Sequence, residues 1–190
     1  DAILRGGEFL SAQTLPERVD LALDAASRSD GALVYLYTPE LDRIGHKRGW
    51  ESDEWVAELE ATDAAAASLH AQAAALGVGV VATADHGMVD VPAHLHVLLR
   101  DGDPVLSDVR HVAGEPRMLH VYLEDDADAA AALVRWREAE SSRAWVLSRN
   151  EAIAGGLFGA VYAVVAPRIG DILIAARAAV AYYDDRLADK

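Results

Sequence analysis

Cysteine is absent from all 190 residues. Its absence excludes disulfides, thiolate zinc sites and cysteine nucleophiles together. Any metal must then be held by His, Asp or Glu, the ligands of hydrolytic zinc, manganese or magnesium sites. Positive charge is scarce: 17 Lys and Arg stand against 31 Asp and Glu, a formal net charge of −14. Such a surface repels a phosphate backbone, which excludes nucleic-acid coating as the main role. It does not exclude a small phosphate-bearing substrate, because bound dications reverse the local field. No run reaches the ~18 apolar residues of a membrane span, and no basic-then-apolar leader opens the chain. The first residues, Asp1-Ala2-Ile3, lack an initiator Met and suggest a processed piece or fragment. That leaves the compartment open, with the cytoplasm favoured. What the sequence does have is apolar content, 52%, enough for a real core in one domain or in one domain with a small appendage.

The pattern along the chain alternates helix and strand. Pro16 to Arg28 predicts a helix, with Pro16 in its first turn and Val19, Leu21, Leu23 and Ala26 on a broad apolar face. Leu33 to Tyr37 is a short continuous apolar run, as in a strand covered on both faces. Thr38 to Glu51 is polar, contains Pro and Gly, and predicts a loop. Ser52 is a good N-cap for a long alanine-rich helix that ends at Gly77. Val78 to Ala84 is again a buried-strand pattern. This order predicts an α/β protein with a parallel sheet. Beyond Pro92, a strand at Met118–Leu123, a helix at Asp128–Glu140, a strand at Trp145–Leu147 and a short helix from Asn150 suggest a small α+β cap. Ile172–Ala176 and Ala179–Tyr183 predict a closing hairpin. The expected division is therefore 1–100 in the α/β core, 101–165 as the cap insertion and 166–190 as a return to the core.

Two segments carry chemistry. In Tyr37-Thr38-Pro39-Glu40-Leu41-Asp42-Arg43-Ile44-Gly45-His46-Lys47-Arg48-Gly49, Asp42 and His46 are four apart. One helical turn at that spacing points an oxygen and a nitrogen the same way. In Ala82-Thr83-Ala84-Asp85-His86-Gly87-Met88, an Asp and a His sit together where a predicted strand ends. Ligand sites in open parallel sheets form at the carboxyl ends of strands. Phosphoester hydrolysis concentrates negative charge on the attacking and leaving oxygens, which two divalent cations ~4 Å apart stabilise. Mixed Asp/His ligation suits zinc, with manganese or iron as alternatives.

At these residues the chain resembles the type I phosphodiesterase/nucleotide pyrophosphatase family of the alkaline phosphatase superfamily. The resemblance lies mainly in residues 33–92. Gly114–Leu123 and Arg168–Arg177 are also similar to later parts of bacterial members. It implies an alkaline phosphatase-like parallel-sheet sandwich with helices on both faces, truncated at its N-terminal side. It implies Asp42 and His46 as ligands of one metal and Asp85 and His86 as ligands of the second. It implies metal-dependent hydrolysis of phosphodiester or pyrophosphate bonds in the intact protein. The family pattern also requires an early Asp, a Thr or Ser nucleophile after it, and a His near the C-terminus. No residue of this chain matches them, so the nucleophile is expected upstream. The alternatives are a non-catalytic fragment or pseudoenzyme serving as a binding or structural module, or a relative that hydrolyses phosphonates, phosphomonoesters or sulfate esters.

Other candidates are secondary. Glu115 and Arg117 are placed to contact substrate from the cap or to pair with each other. His94 and His96 alternate across an extended segment and face opposite ways. His70 sits on the long helix, and His111 and His120 suit structural roles. Asp63 falls near the apolar stripe of the long helix, where a carboxylate would need a partner. The four tryptophans suit packing. The expected partners are a small phosphoester and, through exposed strand edges, a second copy of the chain.

Overall fold

A computed structural model describes residues 6–29 and 31–185. It divides into two compact units, Asp1–Val89 and Asp90–Lys190.

The first unit holds three helices, α1 (Leu15–Ser27), α2 (Glu40–Arg48) and α3 (Asp53–Ala75). Thr14 and Glu17 close a capping box on α1: each side chain takes the other's backbone N–H. Ser52 caps α3 by accepting from the Trp55 amide at 3.2 Å, and Gly77 leaves that helix at φ +71°, a conformation glycine adopts at no steric cost. Helices α1 and α2 both pack on α3. The two expected strands of this unit did not form. Leu33–Tyr37 and Val78–Ala84 carry no strand pairing, and Leu33 is 97% and Val81 91% exposed. A strand is stabilised by its ladder and by what covers its faces, and among the described residues of this unit there is no second strand to pair with. The expected loop at 38–51 is corrected as well, since it contains α2. Its acidic first turn (Glu40, Asp42) and basic last turn (His46, Lys47, Arg48) complement the helix dipole.

The second unit is built on a four-stranded sheet, order β2-β3-β5-β4, from β2 (Val109–Glu115), β3 (Met118–Leu123), β4 (Ala144–Ser148) and β5 (Ile172–Ala176), all antiparallel. Strand β3 alternates, with Leu119, Val121 and Leu123 buried. Strand β5 buries three successive residues, Ile172, Leu173 and Ile174, because both faces of the sheet are covered. Helix α4 (Ala129–Glu140) brings Ala132 and Trp136 into the larger cluster on one face, while α5 (Arg149–Ala154) brings Ala152 against Leu173 on the other.

The closing hairpin is corrected. Strand β6 (Ala181–Asp184) pairs in parallel with β1 (His96–Leu99), from His96↔Ala181 to Leu99↔Asp184. Arg117 holds the divergence of β5 from β6 by donating to the carbonyls of Ala176, Ala178 and Val180. The α/β class with a parallel pairing stands. The two compact units meet in sequence at Val89/Asp90, and β5 pairs with β3 and β4. No helix among the described residues is long and apolar enough to cross a membrane.

Candidate metal centre

Helix α2 is nine residues long and begins at Pro39 without a side-chain cap. A helix this short is marginal on its own, so its orientation depends on what holds it from outside. The Trp55 indole at the start of α3 donates to the Leu41 carbonyl at 3.1 Å. The Arg18 guanidinium of α1 donates to the Tyr37 carbonyl at 2.8 Å and ion-pairs with Glu40. Burial would raise the Glu40 carboxyl, but its hydrogen bond with Arg18 holds it below the usual carboxylate range.

One turn of α2 brings Asp42 Oδ1 and His46 Nε2 to 3.4 Å. The Asp42 oxygen is occluded from solvent and accepts no hydrogen bond, an unusual state for a carboxylate. Two ligands of a tetrahedral zinc, each ~2.0–2.2 Å from the metal, lie about 3.3 Å apart. The Asp42/His46 separation has that span, and on this observation the pair fits a divalent cation.

Asp85 and His86 follow residues 78–84 on an exposed turn, with His86 Nε2 3.8 Å from Asp85 Oδ2. His86 Nδ1 donates to the Gly87 carbonyl at 2.9 Å. In the neutral ring that leaves the lone pair on Nε2, the nitrogen facing Asp85; such an orienting bond is the usual second partner of a ligating imidazole. Met88, the next side chain on, lies on the face of α2. A Cβ added at Gly45 would stand 2.1 Å from its Cε and 2.4 Å from its Sδ, so the missing side chain at Gly45 is what leaves room for Met88 there. Among the described residues, no three His, Asp or Glu converge into a closed cage. The four expected ligands form two pairs.

Other expectations fare differently. The Arg117 donors are spent on three carbonyls inside the second unit, and Glu115 is exposed at the end of β2. His94 falls in a short 3-10 turn, and His96 opens β1, where its Nε2 donates to the Val91 carbonyl at 3.0 Å. His111 stacks on Tyr122 with centroids 4.4 Å apart. His120 Nδ1 accepts from the Gly170 amide, and burial lowers its pKa. His70 and Asp63 are exposed on α3, so Asp63 needs no buried partner. Trp136 is fully buried, whereas Trp145 is 61% exposed, which corrects the packing role for the latter. Sequence spacing does not single out Arg18 or Met88; only the folded contacts reveal them. It also misses the buried Glu140, which accepts from the Tyr182 hydroxyl at 2.6 Å and from two Arg143 nitrogens at 2.6 and 2.7 Å.

Among curated proteins, none matches the sequence. Among solved structures, murine ectonucleotide pyrophosphatase/phosphodiesterase 5, as an inactive variant in complex with AMP, superposes with a TM-score of 0.70 at 14% identity, covering 95% of this chain and 47% of that one. A second structure of the same murine protein gives a TM-score of 0.67 at 14% identity with the same coverage. The chain thus spans about half the length of the structures it matches, and the likeness establishes the α/β fold. The sequence profile of type I phosphodiesterases/nucleotide pyrophosphatases matches residues 7–189, nearly the whole chain, which therefore belongs to that family of phosphodiesterase/pyrophosphatase-type hydrolases.

Proposed function

We propose that residues 6–89 supply part of a two-metal site for hydrolysing phosphodiester or pyrophosphate bonds. Asp42 and His46 would hold one divalent cation, and Asp85 and His86 a second. Zinc suits the mixed carboxylate and imidazole donors, with manganese or iron as alternatives. The observation that carries this reading is the occluded, hydrogen-bond-free Asp42 oxygen 3.4 Å from His46 Nε2. Bound cations would stabilise charge on phosphoryl oxygens and lower the pKa of water. The chain's own part is to fix the direction of the donors. Helix α2 aligns Asp42 with His46, and the Gly87 carbonyl sets the His86 tautomer. The nucleophilic hydroxyl would come from outside these residues. The murine relative was crystallised with AMP, which supports a nucleotide or a similar small phosphoester as the substrate. The exposed apolar runs at 33–37 and 78–84 support self-association.

Zinc titration by calorimetry on the chain and on Asp42→Ala tests the site. Binding that drops at least tenfold in the variant is the expected result. Equal binding by both proteins would remove Asp42 as a ligand and the reading with it.

A further inference from the structure

Arg18 is a residue that no motif points to, yet its side chain is only 16% exposed. It spends three donors, one on the cap of its own helix and two on the entry to α2. Nε reaches the Thr14 carbonyl at the α1 cap at 3.3 Å. Nη1 reaches the Tyr37 carbonyl at 2.8 Å, where the motif segment begins. Nη2 meets Glu40, the first residue of α2. Glu40 is itself only 20% exposed, and its other partner, Arg43, is a weak and exposed one at 3.4 Å. The planar guanidinium fork can serve Tyr37 and Glu40 at once, which a single ammonium cannot do with the same geometry.

The need for such a clamp follows from α2 itself. The helix has nine residues and no side-chain cap at its N-terminus, so little inside it fixes its axis. Asp42 lies two residues beyond Glu40 and His46 one turn further, so a rotation of α2 moves both donors together. Trp55 donates to the Leu41 carbonyl in the first turn of the helix, and Met88 packs at Gly45 further along it. The Arg18 contacts act one step earlier, on Tyr37 before the helix and on Glu40 at its first residue.

We propose that Arg18 and Glu40 are positioning residues for the Asp42/His46 pair. They set the entry angle of α2 and thereby the direction of both metal donors. This inference rests on the metal reading above, and its test separates the two.

The test compares Arg18→Ala, Arg18→Lys, Glu40→Gln and Asp42→Ala by zinc calorimetry, by the visible spectrum of the cobalt(II)-loaded chain, and by amide hydrogen exchange. Loss of an outer-shell partner typically weakens metal binding by about 10–100-fold, and that loss is expected for Arg18→Ala. Arg18→Lys should recover part of it, and the cobalt band should change shape as ligand directions loosen. Exchange should rise at residues 42–48 while α1, α3 and the sheet of the second unit keep their protection. If Arg18→Ala does not fold, Glu40→Gln removes the same ion pair with little change of shape. Wild-type zinc affinity in both Arg18→Ala and Glu40→Gln, beside loss in Asp42→Ala, would overturn the positioning role and leave the metal reading intact. Wild-type affinity in Asp42→Ala would sink the metal reading, and unchanged exchange at 42–48 in Arg18→Ala would then sink the clamp as well.

Discussion

Residues 6–89 and 90–185 are similar in length and opposite in construction. Among the described residues 21 apolar ones are buried; 18 of these lie in the second unit and three, Val19, Ala22 and Ala73, in the first. The second unit is held by a core that fills both faces of its sheet. The first is held by polar contacts: the Thr14/Glu17 capping box, the Ser52 cap, the Arg18 clamp and the Trp55–Leu41 hydrogen bond. Every proposed metal ligand lies in the first. At roughly 25 cal/mol per Å² of buried apolar surface, three small buried side chains contribute little. The first unit therefore sits at the low-stability end from which binding segments are commonly drawn.

The largest effect expected is on the core-rich side. Trp136 is fully buried in the main cluster, and Trp136→Ala should cost about 3–5 kcal/mol by transfer and cavity terms, read by urea unfolding. Hydrogen exchange locates the loss: protection should fall across β3, β4 and β5 and stay unchanged in α1 and α3. In the wild type, residues 33–37 and 78–84 should exchange far faster than 119–121 and 172–174. Protection at 33–37 and 78–84 that grows with protein concentration would instead report self-association through those runs.

The same contrast explains what could be read from the sequence. Helices α1, α3 and α4 and strands β3, β4 and β5 were legible because caps, periodicity and alternation are local signals, and Ser52, Asp128 and Gly77 mark their ends. Leu33–Tyr37 and Val78–Ala84 have strand composition without strand structure, since pairing depends on a neighbour that local composition cannot supply. Helix α2 was hidden by Pro39 and by a polar sequence, although its acid-first, base-last order is a helix signal. The partnership of β6 with β1 spans 85 residues from His96 to Ala181 and left no local trace. At the candidate site, the ligand types were legible from the motifs. The contacts that orient them, Arg18 from α1 and Met88 on Gly45, are tertiary and were not.

A methyl group at Gly45 tests the core-poor side with a smaller effect. Gly45→Ala places a Cβ inside contact distance of Met88. Because the end of a methionine is flexible, the side chain should swing away at a cost of about 1 kcal/mol. That movement unfastens residues 85–88 from α2. Zinc affinity should fall while the unfolding of the second unit is unchanged. A crystal structure of the variant with Met88 in place would remove this contact as the link between the two ligand pairs.

The smallest effect returns to the second unit, where a polar contact can be titrated. Glu151 caps α5, accepting from the Ser148 amide at 2.7 Å, from Arg137 at 2.7 and 2.8 Å, and from the Ser148 hydroxyl at 2.8 Å. These bonds favour the charged form and hold its pKa at about 2, against about 4.3 in an unfolded chain. A lowered folded-state pKa means a contribution that is present above about pH 4.3 and lost as pH falls toward 2. The side chain is 46% exposed, so screening limits the effect to below about 1 kcal/mol. Wild-type stability should therefore fall slightly more steeply between pH 4.3 and 2 than that of Glu151→Gln. Identical slopes would show that the Ser148 cap and the Arg137 pair add nothing measurable. The second unit would then owe nothing measurable to this exposed polar contact, which would make its contrast with the polar-held first unit sharper still.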